Sequence, residues 1–122
     1  MELFGKQRHF LFGLGAREKI LDLCENRNLA NLNKLISDDN NDTAWQTYIK
    51  IGKLMQANYE DRLHFMNKQY QQDYVTDEEI SFMDVDEQAK WIEECLQAIT
   101  IGTKREVEGE VIKAKAGKGK KA

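Results

Sequence analysis

No stretch of this chain approaches the ~20 consecutive apolar residues that a membrane-spanning helix needs, and no positively charged start runs into an apolar segment as a secretory signal does. The expectation is a soluble, cytoplasmic protein with no membrane partner. Histidine is almost absent: His9 and His64 are the whole supply. Neither has a cysteine or a second histidine three or four residues away, the local spacing that zinc sites use. The two cysteines, Cys24 and Cys95, each sit beside a leucine in an amphipathic helical stretch. They read as small buried apolar side chains in a reducing compartment, not as a disulfide or as a thiol with a base beside it.

Phosphate-cradling loops are missing too. In Gly13-Leu14-Gly15-Ala16-Arg17-Glu18 a glutamate stands where the third glycine of a dinucleotide turn belongs, so these glycines read as a strand-to-helix turn. The acidic pairs Asp38-Asp39, Glu78-Glu79 and Glu93-Glu94 are adjacent in sequence. On a helix such neighbours point about 100° apart and do not converge as a general acid and base. The sequence predicts no enzyme, no metal and no cofactor.

What is present fits one domain of 122 residues. The net charge of −3 hides two opposite parts: residues 1–103 hold 11 Lys/Arg against 18 Asp/Glu (−7), and residues 104–122 hold 7 against 3 (+4). An acidic body repels a phosphate backbone, which argues against nucleic acid as a partner. The division expected is a folded body over 1–103 and a flexible Lys/Gly-rich tail over 104–122.

The fold class predicted is mainly α, a small helical domain with a short N-terminal β-hairpin. Glu2-Leu3-Phe4 and His9 to Phe12 flank Gly5-Lys6-Gln7-Arg8 as two strands, and the shared face of Phe10 and Phe12 should pack on a helix. A first helix runs from Ala16 through Ile20, Leu23 and Cys24 and stops at Asn26 to Asn28; a short second helix follows through Leu29, Leu32, Leu35 and Ile36. Ser37 to Asp42 reads as a loop ending in an N-cap at Asp42.

From Thr43 to about Asp73 an apolar stripe runs through Trp45, Tyr48, Ile49, Gly52, Met55, Tyr59, Leu63, Met66 and Tyr70, on one helix of about 30 residues or on two that break near Asn58. Ile51 and Leu54 widen that face. Thr76-Asp77-Glu78-Glu79 is a capping box for a brief helix through Ile80, Phe82 and Met83. Asp84 or Asp86 then caps a last helix with an inner face of Val85, Ala89, Ile92, Leu96 and Ile99, Trp91 beside it and Gly102 at its end.

This order of parts, with Leu3-Phe4-Gly5-Lys6, Arg8-His9-Phe10-Leu11-Phe12-Gly13, Thr76-Asp77-Glu78-Glu79-Ile80 and the helix around Trp91 to Ile101, resembles the tail assembly chaperones of long-tailed bacteriophages. The likeness is one of layout and covers roughly residues 2 to 105. It implies a protein of the host cytoplasm that coats the long, aggregation-prone tape measure protein until the tail tube polymerises around it. In many such phages a ribosomal frameshift adds a second domain to the same start. The family has no invariant binding motif to carry onto numbered positions here.

Flexible methionines and aromatics suit a surface that adapts to an apolar client. The partner-binding candidates are therefore Trp45, Tyr48, Met55, Tyr59, Met66, Tyr70 and Trp91, with filling of the core as the competing account. Three functions follow: a chaperone-like binding module that holds a helical client and self-associates, a small helical DNA-binding regulator, or a virion structural adaptor. The second is weakened by Glu18, Asp22 and Glu25, which offset Arg17, Lys19, Arg27 and Lys34.

Overall fold

The computed structural model describes residues 1–36 and 41–119, with the side chains of all of these except Leu35, Asn41, Asp42 and residues 104–119. Mainly helical, it opens on a two-stranded antiparallel hairpin, β1 (Glu2–Leu3) and β2 (Lys6–Gln7). Both turn residues have positive φ, Phe4 at 52° and Gly5 at 80°. A two-residue turn of this kind matches the twist of the strands and sets Leu3 opposite Lys6. The second strand is thus Lys6–Gln7 and not His9 to Phe12, because the chain reverses at Phe4-Gly5, earlier than the apolar pattern implies.

Residues 9–12 pack on the helices instead. Leu11 N–H donates to the Met55 carbonyl at 3.1 Å, and Phe10 meets the Trp91 ring edge-on, with centroids 4.8 Å apart. Phe12 lies so close to Gly102 that a Cβ there would sit 2.5 Å from its Cδ1. The Phe10 and Phe12 face does pack on a helix.

Helix α1 (Leu14–Leu21) buries Ala16, Ile20 and Leu21. It starts at Gly13, whose φ of −85° any residue could adopt. The requirement at Gly13 is space: the Asn58 Oδ1 that accepts its N–H at 3.1 Å would lie 2.5 Å from a Cβ. After α1 the chain makes short 3-10 turns at Glu25–Arg27 and Leu29–Asn31. Helix α1 thus ends at Leu21, before the expected stop at Asn26 to Asn28; Asn26 and Arg27, both at positive φ, lie in the first 3-10 turn beyond it. Helix α2 (Leu32–Ile36) follows, and residues 37–40, where a loop is expected, lie outside those described.

Helix α3 (Asn41–Met66) is one continuous helix, unbroken at Asn58. It stops short of Asp73 because Asn67 turns the chain: its side chain accepts from Gln69 N–H at 3.1 Å and its carbonyl from Tyr70 N–H at 2.9 Å. Residues 67–76 form an irregular strap leading to α4 (Asp77–Ser81), which begins with the expected capping box of Thr76 and Glu79. Helix α5 (Val85–Gly119) opens on a reciprocal cap, Asp84 Oδ1 accepting from Glu87 N–H at 2.8 Å and Glu87 Oε1 from Asp84 N–H at 3.1 Å.

The buried face of α5 differs from the expected one. Trp91 and Cys95 are fully buried, whereas Val85 and Leu96 are 78% and 40% exposed. Gly102 sits within the helix, which does not end there. The expectation of a flexible tail over 104–122 falls on residues whose side chains, and for 120–122 whose backbone, lie outside those described.

The core gathers Leu3, Ile20, Ile51, Met55, Trp91 and Cys95 from the hairpin, α1, α3 and α5. Its tightest approach is α3 to α5, where the Trp91 indole lies directly over Gly52 and Nε1 donates to the Tyr48 carbonyl at 2.8 Å. A methyl at position 52 would overlap the indole. Gly52→Ala is therefore expected to destabilise the fold by about 1–3 kcal/mol, the usual cost of overpacking, despite the better helix propensity of alanine. Urea unfolding followed by tryptophan fluorescence measures it.

Candidate functional site

The apolar residues on the stripe of α3 divide by burial. Tyr48, Met55 and Trp91 are 8%, 0% and 0% exposed. These three candidates are buried in the core, where α3 and α5 pack on each other. Trp45 is half-buried against the core, Tyr59 stacks on His9 with centroids 4.8 Å apart, and Tyr70 donates its hydroxyl to Glu60 at 2.8 Å. Met66 alone of the seven is well exposed, next to exposed Phe65 at the end of α3.

The structure opens its main apolar groove elsewhere, on a different face of α3. Lys50, Lys53, Leu54 and Ala57 form one side, Leu23 after α1 the other, and Tyr74 and Val75 of the strap close the end, enclosing about 510 Å³. Ala57 follows Met55 by two residues, about 200° around the helix. A smaller depression of about 220 Å³ continues it past Leu23 and Lys50 to Thr43, Gln46 and Thr47. The α3 members of the two depressions recur at 43, 46, 47, 50, 53, 54 and 57, one helical face about 21 Å long.

Sequence reading missed this groove. Its two lysines make that face of α3 look solvated, and Leu23 and Tyr74 come from distant segments. The one local signal is Leu54, an apolar residue off the main stripe.

Long polar side chains hold the strap that ends the groove. Gln56, 2% exposed, donates through Nε2 to the Asp73 carbonyl at 2.9 Å and accepts Val75 N–H at Oε1 at 3.0 Å. Glu60 Oε1 accepts both Asp73 N–H and the Tyr70 hydroxyl at 2.8 Å. From the hairpin side, buried Arg8 donates to the Asp73 carbonyl at 2.7 Å and to both Glu79 oxygens at 3.0 Å. The hydrogen bond to Glu60 raises the Tyr70 pKa, and that to Asp61 raises the Tyr74 pKa. The hydrogen bond from Lys6 holds the Asp73 carboxyl below its ordinary 3.8, with the Arg8 charge assisting and desolvation opposing.

Three further surfaces are exposed and apolar or charged. On α5, Ala89, Ile92, Leu96 and Ile101 line a shallow strip of about 420 Å³ with Glu93, Gln97 and Thr100. Phe4 and Phe82 flank a cleft of about 260 Å³ with Glu78 and Glu79. Near α1, Arg27 pairs with Glu18 and Asp22, which neutralise the cation a DNA reader would present.

The thiols of Cys24 and Cys95 are both raised by burial away from the reactive range. Among the described residues no group of three or more His, Cys, Asp or Glu is placed to hold a metal ion. No helix among them is long and apolar enough to cross a membrane.

Two outcomes test this geometry. Gln56→Ala leaves the buried Val75 N–H without its acceptor and takes one of two donors from the Asp73 carbonyl, and should cost about 1–3 kcal/mol of stability, which chemical denaturation reads. For Asp73, a pKa lowered in the folded state means stability present above 3.8 and lost as pH falls below that value. Lys6→Ala should shrink that acid-side loss, which thermal melts across pH would register. Comparison with known proteins returned no matching family model, no matching curated protein and no matching solved structure.

Proposed function

We propose that this chain is a polypeptide-holding module of the tail assembly chaperone kind, which acts by lending apolar surface to a client and carries out no reaction of its own. The client is an aggregation-prone helical protein, a phage tape measure protein in that setting, and the place of action is the host cytoplasm. Self-association belongs to the same reading. The observation that supports it is the quantity of organised apolar surface left outside the core: the groove on α3, at about 510 Å³, and the separate strip on α5, at about 420 Å³.

Exposed apolar side chains such as Leu23, Leu96 and Ile101 give a client something to pack against. Both surfaces stand on helices fixed by the core, so the site is formed before the client arrives and little ordering cost falls on binding.

Co-expression supplies the test. A long helical tape measure protein expressed with this chain should move from the pellet to the soluble fraction and co-purify with it. An unchanged soluble fraction, with both proteins well expressed, overturns the reading.

A further inference from the structure

The α3 groove is apolar along its floor but cationic along its rim. Lys50 is exposed and makes no ion pair among the described residues, while Lys53 is engaged only at the surface, by Asp77 at 2.5 Å. Such a surface pair is worth about 0–1 kcal/mol and exchanges readily for a better placed carboxylate. Among the described residues no acidic side chain lines the groove itself, and Asp61 and Asp77 reach its edge only through Tyr74 and Lys53, which leaves Lys50 as its open cation. The charge complement of this site is therefore a carboxylate above an apolar face.

The backbone chemistry of the site selects the shape of the occupant. An extended peptide on this floor needs partners for its own N–H and C=O groups, and leaving them unpaired against apolar surface is costly. The strap has little free edge to offer on its α3 side, since Gln56 takes the Val75 N–H and, with Arg8, the Asp73 carbonyl. A helix satisfies its own backbone and can lie along the 21 Å face of α3, ridges into grooves.

We propose that the groove between Leu23, Leu54 and Tyr74 takes an acidic amphipathic helix of about 14 residues from the client, apolar at i, i+3, i+4 and i+7, with a carboxylate seated on Lys50. This rests on the polypeptide-holding function proposed above and names the segment chemistry that the groove selects.

The test uses the full chain and two fluorescein-labelled helical peptides of 16 to 18 residues with identical apolar faces, one flanked by glutamates and one by lysines, read by anisotropy. The glutamate peptide should bind, more weakly with added salt, and the lysine peptide at least about tenfold more weakly. Lys50→Glu, at an exposed position that leaves the fold intact by circular dichroism, should reverse that order. Leu23→Asp should weaken both peptides.

Equal binding of the two peptides, or binding untouched by Lys50→Glu and Leu23→Asp, overturns the groove assignment. If the tape measure protein is still solubilised, and solubilisation is lost with Leu96→Glu/Ile101→Glu at exposed positions of α5, the holding function survives while this inference fails. Failure of both peptides and of solubilisation removes the two together.

Discussion

The contact on which the rest of the molecule depends is Trp91 against Gly52. The absence of a side chain at position 52 lets α5 come close enough for the indole to cover the α3 backbone, and Nε1 finds the Tyr48 carbonyl there at 2.8 Å. A buried indole needs such a partner, so the rotation of α5 about its axis has one solution. Phe10 then closes on the free edge of the ring, and Cys95, one turn later, brings its thiol to 3.8 Å from the same carbonyl. The consequence lies on the outside. With Trp91 and Cys95 turned in, Val85, Ala89 and Leu96 are turned out.

Polar groups do comparable work around the strap. Residues 67–76 contribute Val75 as their one fully buried apolar side chain, too little to fix an irregular segment by burial alone. Gln56 and Glu60, polar residues at buried positions of α3, and Arg8 from the hairpin bind its backbone directly. Buried polar groups are tolerated when they find partners, and these do so except at the Arg8 Nε, which is buried without one. The strap held in this way positions Tyr74, which ends the groove. The electrostatics of the fold and the shape of its α3 groove are thus one arrangement.

Parts of this were legible residue by residue. The capping box at Thr76, the cap at Asp84 and the long helix through α3 all rest on interactions within four residues of one another. The packing of Phe10 and Phe12 on a helix was legible because a two-stranded ribbon has no other place to bury them. The hairpin register was not, since Phe4 accepts a positive φ that its side chain disfavours and the chain reverses two residues early. The stripe that held Tyr48 and Met55 was a real apolar face, but periodicity alone does not distinguish a face that meets the protein's own core from one that meets a partner.

Sequence by itself determined the helical class, the approximate helix starts, and the scarcity of metal-binding and phosphate-binding motifs, because these follow from local dihedral preferences, caps and spacing. Tertiary structure decided which side of α5 is buried, where α3 ends its service to the core, and that Lys50 and Lys53 rim an apolar groove. Two apolar stripes lie side by side on α5, and local pattern ranks them nearly equal. The choice between them came from a glycine and a carbonyl on another helix, the carbonyl 43 residues before Trp91, and contacts at that separation are made only when the chain is folded.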